Sequence, residues 1–171
     1  MSIKTANLAL EGEGLRFVAK TGSGHQVVFD DREGDTGPGP AELLPTALAA
    51  CTAMDVISIL RKKRQRVTHY EIDVVGEQVD EHPHWFRRID VTHVVEGPQI
   101  EVGAVQRAIE LSATRYCGVG ATISTGLTEV HHAYTVRSGE QEHQGEVIVT
   151  GPREEPDALG QRATAAAEPV A

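Results

Sequence analysis

The chain has only two cysteines, Cys51 and Cys117, and their thiols are the side chains whose chemistry could define its function. Two cysteines whose Cα atoms lie within ~4.4–6.8 Å of each other can cycle between dithiol and disulfide. In such a cycle, a thiolate attacks an electrophilic oxygen, and the resulting sulfenic acid condenses with the second thiol. Cysteine also serves as a small buried hydrophobic residue, so packing of both thiols stays an open alternative.

Cys51 lies in the longest apolar stretch of the chain, residues 40–60. Apolar residues recur there at i, i+3 and i+4 and cover almost the whole circumference, which predicts a long buried helix. Pro45 predicts that the regular helix begins near Leu44 or that its first turn is bent. The cationic run 61–64 follows where the helix dipole is negative, and we interpret it as a solvated helix end.

Cys117 follows a second amphipathic pattern, which predicts a helix over residues 102–113. Gly118 is then expected at the C′ position of this helix. Residues 119–126 are ambiguous between a short helix and a loop. The two predicted helices that carry the thiols are the pair that we expect to pack against each other.

The remaining segments are short, β-rich runs that alternate with turns, and they predict strands. They occupy residues 1–10, 14–20, 25–30, 67–79, 86–96 and 127–136. Residues 14–30 and residues 67–96 each form a predicted hairpin, and 127–136 is the predicted last strand. Because helices and strands are segregated, the fold class is α+β, with a mostly antiparallel sheet that wraps the buried central helix.

The length of 171 residues predicts one domain, over residues 1–138, followed by a polar extension, 139–171, that is largely disordered. Within the extension, residues 147–149 could form a short extra strand. The net charge of −9 and the aromatic content of 4% argue against a nucleic-acid partner.

We expect no stretch of the chain to reach the ~20 apolar residues of a membrane helix, so no membrane partner is predicted. The first seven residues show no secretory signal, and a cytoplasmic location follows. Histidines occur as pairs at 82 and 84 and at 131 and 132. The adjacent pair should point to opposite faces of its strand, and no compact ligand set accompanies either pair, so no metal site is predicted.

Two segments around the thiols resemble the OsmC/Ohr family. The first is Gly-Pro-Gly-Pro-Ala-Glu-Leu-Leu-x-x-Ala-Leu-Ala-Ala-Cys51, which continues as Thr-Ala-Met-Asp-Val-Ile to Lys62. The second is Ala-Ile-Glu-Leu-Ser-Ala-x-x-Tyr-Cys117. Near the N-terminus, Gly-Leu-x-Phe and Ser-Gly-His-Gln resemble the YhfA-like, OsmC-related branch of the family. The likeness runs from about Gly14 to Val136.

This resemblance implies a homodimer of intertwined α+β subunits with its sites at the subunit interface. It implies a thiol-dependent peroxidase that reduces organic hydroperoxides to alcohols, with hydrogen peroxide as an additional substrate. Cys51 would be the peroxidatic thiol and Cys117 the resolving thiol. The reductant would be a small dithiol or a dihydrolipoyl protein, and no metal or other cofactor is implied.

The family's other catalytic positions are only partly matched. Characterised members carry a glutamate directly after the proline that corresponds to Pro40, whereas this chain has Ala41 there and Glu42 one residue later. Glu42 is the candidate acid, or else a first-turn residue that favours the helix dipole. Arg16 is the candidate arginine, or else a solvated strand residue. The second cysteine of the family is often followed by Pro-x-Ser, whereas Gly118-Val-Gly120 follows Cys117 here. The departures at Ala41 and Gly118 favour an alternative function, a non-catalytic small-molecule-binding or stress-response module on the same dimeric fold.

Overall fold

The computed structural model describes residues 2–151 of the chain. These residues form two compact units, one up to Thr46 and one from Ala47 onward. Each unit contains its own β-sheet, and the boundary between them falls within the long helix that carries Cys51.

The N-terminal unit contains a three-stranded antiparallel sheet in the order β1-β2-β3. The strands are β1 (Ala6–Leu10), β2 (Phe17–Thr21) and β3 (Gln26–Phe29). The predicted first strand and the hairpin that follows it are confirmed. Gly24 lies in the β2–β3 turn with a φ of 88°, a left-handed conformation that glycine adopts without steric cost.

The C-terminal unit contains a four-stranded sheet whose strands neighbour one another in chain order. They are β4 (His69–Gln78), β5 (Phe86–Gly97), β6 (Glu129–Ser138) and β7 (Gln141–Thr150). The pairs β4–β5 and β6–β7 are antiparallel, whereas β5 and β6 are parallel. The α+β class is confirmed, and the one parallel pair requires a long crossover connection, which contains Cys117.

Strand β7 corrects the expectation for the C-terminal part of the chain. A short strand over 147–149 was the most that the sequence suggested, but a ten-residue strand, Gln141–Thr150, pairs with β6. Residues 141–150 therefore belong to the sheet rather than to a disordered extension. The part of the predicted extension from 152 to 171 lies outside the described residues, and the division of the chain at 138 stays a prediction.

The crossover from β5 to β6 consists of three consecutive helical segments. Helix α2 (Val102–Leu111) runs directly into a π-helical segment (Ser112–Tyr116), and helix α3 (Gly118–Ile123) follows. Gly118 follows the C-cap residue Cys117 and so occupies the expected C′ position, but it also begins α3 and does not adopt a left-handed cap conformation. Cys117 separates the two segments with extended backbone angles, φ −72° and ψ 98°, and caps α3.

Helix α1 (Pro40–Lys62) begins at Pro40 and continues through Pro45. Its burial differs from the expectation of a helix enclosed on all sides. One stripe of residues, one turn apart, is fully buried: Leu48, Thr52, Val56 and Leu60. The opposite side is open in the single chain, where Met54 is 73% exposed. The cationic end of the helix is exposed as predicted.

By length and composition, α1 is also apolar enough to cross a membrane, contrary to the sequence-based expectation. Core helices of soluble proteins share these properties, so a single such helix does not distinguish the two cases.

Two apolar clusters make up the core of the C-terminal unit. The larger cluster joins the C-terminal half of α1 to α2 and the sheet; its buried members are Val56, Leu60, Val95, Ile100, Ala104, Val105, Ala108, Ile109, Tyr134 and Val136. The smaller cluster surrounds the thiols, with Leu48, Ile89, Val91, Cys117 and Val130 buried. Both thiols lie in or beside this smaller cluster.

Candidate functional site

The two thiols lie close together in the C-terminal unit. Cys51 is in the middle of α1, and Cys117 is the N-cap residue of α3. Their Sγ atoms lie within 4.8 Å of each other, and both cysteines are free. The two sulfurs are therefore near enough to form a disulfide after a small adjustment.

The two thiols differ in burial. Cys51 is half-buried, whereas only 3% of Cys117 is exposed. Burial, followed by the hydrogen bond with Cys51, raises the pKa of Cys117 to about 12. The Gly120 N–H donates to Cys117 Sγ at 3.2 Å and opposes this rise in pKa, because it stabilises the thiolate. Cys51 is thus the more accessible of the two thiols.

Asp55 is a third member of the site, and sequence reasoning missed it. Its carboxylate lies within the same 4.8 Å of both sulfurs. Asp55 follows Cys51 by one helical turn, so the two side chains share a face of α1. The available signal in the sequence was that Asp55 is charged, lies four positions after Cys51 and falls within the mainly apolar stretch 43–60 of α1.

A hydrogen-bonded bridge fixes the Asp55 carboxylate. Ser112 Oγ donates to Asp55 Oδ2 at 3.0 Å and lies 3.0 Å from Thr52 Oγ1. Thr52 and Ser112 are both fully buried. We call Thr52, Ser112 and Asp55 the polar bridge; it joins α1 to the start of the π-helical segment. Hydrogen bonding of this kind restricts the carboxylate to one orientation beside the thiols.

Cys51, Asp55 and Cys117 are also the described residues whose donor atoms could together hold a metal ion. The sequence-based expectation of no metal site had considered only the histidine pairs. Of those pairs, His131 accepts or donates hydrogen bonds with Glu129 and Glu146 on one face of β6, whereas His132 is buried on the other. The opposite orientation predicted for these neighbours is confirmed.

A second buried polar group crosses the sheet. Tyr70, His93 and His132 lie on adjacent strands β4, β5 and β6, and we call them the histidine row. Tyr70 Oη lies 2.8 Å from His93 Nδ1, and the two imidazole rings are 6.1 Å apart between centroids. Burial lowers the pKa of His93 to about 3 and that of His132 to about 4, so both rings are neutral at physiological pH.

The histidine row separates the two apolar clusters. On β5, His93 falls between Val91 of the smaller cluster and Val95 of the larger one. Within residues 2–151, His93 Nε2 and His132 Nδ1 are buried and have no hydrogen-bond partner. Burial also raises the pKa of Tyr70, with a further contribution from the charge of Asp55. The row thus adjoins the polar bridge.

Gly120 allows α3 to approach the thiols closely. A Cβ atom at this position would lie 3.3 Å from Cys117 Sγ and 3.3 Å from Leu48 Cδ1. Such contacts are tighter than ordinary van der Waals packing. Only a residue without a side chain fits here without displacing its neighbours.

Glu42 and Arg16 lie in the N-terminal unit, where local bonds engage both. Glu42 occupies the third position of α1, and its Oε2 accepts a hydrogen bond from the Gly39 N–H at 2.7 Å. This hydrogen bond is the one that the glutamate of a capping box makes to the N-cap residue. It supports the interpretation of Glu42 as a first-turn residue that stabilises the start of α1. Arg16 pairs with Glu11, and its Nε donates to Thr36 Oγ1 at 3.1 Å.

Comparison with known proteins agrees with the thiol geometry. The family model described as OsmC-like protein matches residues 32–132, more than half of the chain, and this segment includes both cysteines. The chain belongs to the OsmC family. Protein YhfA of Escherichia coli K12 is 38% identical to this OsmC-family chain over 124 residues, which are 72% of the chain and 92% of YhfA. The predicted family and branch are confirmed.

Solved structures agree with the OsmC assignment. A hypothetical protein from Aquifex aeolicus superposes with a TM-score of 0.72 at 30% identity, covering 82% of this chain and all of that one. An organic hydroperoxide resistance protein, OsmC, from Legionella pneumophila superposes with a TM-score of 0.57, covering 80% of this chain and 98% of that one. At 13% identity, the second similarity shows the shared fold alone.

Proposed function

We propose that the protein is a thiol-dependent peroxidase that reduces organic hydroperoxides, with hydrogen peroxide as an additional substrate. The observation that carries this proposal is the close approach of two free sulfurs, Cys51 Sγ and Cys117 Sγ, within 4.8 Å. The same OsmC fold occurs in a protein named for organic hydroperoxide resistance, which adds support for the substrate class.

In the first step, the Cys51 thiolate attacks the distal oxygen of the hydroperoxide. An S–O bond forms and the O–O bond breaks, which leaves Cys51 as a sulfenic acid. The alkoxide takes the proton that Cys51 gave up and departs as an alcohol. Cys51 takes this role because it is half-buried, whereas Cys117 is 3% exposed and its pKa is raised to about 12.

In the second step, Cys117 attacks the sulfur of the Cys51 sulfenic acid. The S–S bond forms as the S–O bond breaks, and the hydroxyl group leaves as water. A dithiol reductant, small or carried on a dihydrolipoyl protein, then supplies two electrons and two protons and restores both thiols. No metal or cofactor takes part in this cycle.

The surroundings of the thiols suit an alkyl group on the substrate. Partly buried apolar side chains that pack against the smaller cluster include Ile72, Val74, Phe86, Val119 and Ile123. An apolar wall stabilises a bound alkyl hydroperoxide by burying its hydrocarbon part. We therefore propose organic hydroperoxides as better substrates than hydrogen peroxide.

The open side of α1 supports a homodimer as part of this proposal. Ala47, Ala50 and Met54 recur at i, i+3 and i+7 on an exposed face of the helix. Exposed apolar stripes of this kind mark interaction surfaces, and a second copy of the chain would cover this one. A reducing compartment, the cytoplasm, is the proposed location, because the cycle begins from free thiols.

To test the proposal, the reduced protein is mixed with an organic hydroperoxide and a dithiol, and the loss of the hydroperoxide is measured over time. Cys51→Ser should abolish turnover, because the remaining thiol, Cys117, is 3% exposed and its pKa is raised to about 12. Cys117→Ser should form one sulfenic acid per chain but no internal disulfide, as mass spectrometry would show. Undiminished peroxide consumption by Cys51→Ser would contradict the mechanism.

A non-catalytic binding module on the same dimeric fold is the second candidate. The raised pKa of Cys117 favours it, and so do the local bonds that already engage Arg16 and Glu42. Alkylation of Cys51 at neutral pH separates the two functions: rapid reaction supports the peroxidase, and inertness supports the binding module.

A further inference from the structure

The three donor atoms at the thiol pair form an arrangement that peroxide chemistry alone does not require. Cys51 Sγ, Cys117 Sγ and a carboxylate oxygen of Asp55 all lie within 4.8 Å of one another. Tetrahedral zinc with Zn–S bonds of about 2.3 Å holds two sulfurs about 3.8 Å apart. The observed separation thus needs at most about 1 Å of contraction to match zinc coordination.

We propose that the reduced protein binds one zinc-like divalent cation through Cys51, Cys117 and Asp55. Thiolate ligands select soft or borderline ions such as Zn²⁺ over Mg²⁺ and Ca²⁺, which prefer oxygen alone. Three protein ligands leave the fourth position of a tetrahedral ion for water or another exchangeable ligand. The site is thus suited to reversible binding rather than to a closed structural role.

The ligands are fixed by regular structure. Cys51 and Asp55 are four residues apart on α1, so their side chains project from one face, one turn apart. Cys117 is held as the N-cap of α3. Ligands on helices keep their relative positions better than ligands on loops.

A second layer of hydrogen bonds surrounds the three donors. Ser112 Oγ donates to Asp55 Oδ2 at 3.0 Å, which leaves the other carboxylate oxygen for a cation. The Gly120 N–H donates to Cys117 Sγ at 3.2 Å and so stabilises a thiolate there. Such outer contacts orient metal ligands and typically change metal affinity 10–100-fold when removed.

Cation binding and peroxide reduction then exclude each other. A bound cation displaces the thiol protons and occupies the lone pairs with which sulfur would attack a peroxide. Once the disulfide forms, neither sulfur is a thiolate, and the cation is released. Zinc bound to the reduced pair would therefore protect the thiols from oxidation until a stronger ligand removed it.

To test this site, the reduced, chelator-treated full chain is titrated with Co²⁺. Thiolate-to-cobalt charge transfer absorbs in the near ultraviolet and appears only when sulfur ligates the ion. We expect one ion per chain, displaced by one equivalent of Zn²⁺. Cys51→Ser should lose most of the charge-transfer absorption, and Asp55→Asn should weaken binding at least about 10-fold. Ser112→Ala should weaken binding about 10–100-fold.

Asp73→Asn is the matched control, since Asp73 lies on β4 on the same face as the exposed Val75. Asp73→Asn should bind Co²⁺ with the affinity of the wild type. Absence of the charge-transfer absorption would overturn the proposal, and so would equal affinity of Asp55→Asn and Asp73→Asn.

The cation site uses the thiol pair but does not depend on peroxidase activity. Disulfide formation by an organic hydroperoxide is followed separately, in chelator, by mass spectrometry. A disulfide without cation binding would overturn only the cation site. Cation binding without a disulfide would overturn only the proposed peroxidase. If both occur, one equivalent of Zn²⁺ should slow disulfide formation at least about 10-fold.

Discussion

Ser112 Oγ lies 3.0 Å from Asp55 Oδ2, which joins the first residue of the π-helical segment to the middle of α1. Together with Thr52, this contact places a polar group between helices that otherwise meet through apolar side chains. The same contact holds the Asp55 carboxylate beside both thiols. The bridge therefore contributes both to helix packing and to the geometry of the site.

Ser112→Ala should lower the free energy of unfolding by about 1–3 kcal/mol, because it removes the hydroxyl that pairs with Asp55 and Thr52. Urea unfolding measures this change. Ser58→Ala, on the exposed side of α1, is the control, and its effect should stay within about 0.5 kcal/mol. Equal effects of the two substitutions would show that the bridge does not stabilise the fold.

Gly120→Ala should slow disulfide formation without slowing the oxidation of Cys51. Its methyl group would lie 3.3 Å from Cys117 Sγ, so the resolving thiol must move. A time course of sulfenic acid and disulfide by mass spectrometry separates the two steps. Gly118→Ala is the control, since nothing lies within 4 Å of a Cβ atom there. Identical time courses for the two variants would contradict the proposed position of Cys117.

The resolving step should accelerate with pH in chelator-treated protein. Because burial raises the pKa of Cys117 to about 12, its thiolate is a small minority species throughout the range from pH 6 to 9. The rate from sulfenic acid to disulfide should thus rise about tenfold per pH unit between pH 6 and 9. Rapid-quench mass spectrometry on preformed sulfenic acid checks the slope, and a flat profile would rule out a buried resolving thiol.

The histidine row should make the protein less stable in mild acid. The pKa values of His93 and His132 lie at about 3 and 4, below the ordinary value of 6.5, so the unfolded chain binds more protons as pH falls through 6.5. The free energy of unfolding should then decrease by about 1.4 kcal/mol per pH unit for each histidine. Urea unfolding between pH 6.5 and 5 measures the slope.

His132→Gln should reduce this slope, whatever its effect on absolute stability. His143→Gln, at an exposed position on β7, should leave the slope unchanged. An unchanged slope in His132→Gln would show that His132 titrates normally in the folded protein.

Met54→Glu should dissociate the proposed homodimer, since it places a charge on the open apolar side of α1, where Met54 is 73% exposed. Light scattering across a dilution series measures the mass. Val75→Glu is the control, because Val75 is 65% exposed on β4. A monomeric wild type, or a dimer that both variants retain, would exclude α1 as the interface.

The sequence predicted most of the fold because alternation and helical periodicity are local properties. The strands of both hairpins and the helix around Cys51 follow from such patterns. Three features depend on packing between distant segments and were not predicted: the parallel pairing of β5 with β6, the length of β7 and the π-helical segment before Cys117.

The site was predicted in part for the same reason. Cys51 and Cys117 stand out by residue type, and they lie together in the structure. Asp55 was missed because one carboxylate in a helix has no periodic signature, and its partner Ser112 is 57 residues away. The opposite orientation of His131 and His132 followed from strand alternation, but the place of His132 beside His93 required the β5–β6 register.

The histidine row has a consequence for how the family can diversify. It divides the core of the C-terminal unit, so the apolar residues that hold α2 to the sheet are separate from those that surround the thiols. Substitutions at Ile72, Val119 or Ile123 can then reshape the space beside Cys51 while the larger cluster keeps the fold intact. Such a chain can change the surroundings of its thiols through single substitutions of a kind that would unfold a protein with one continuous core.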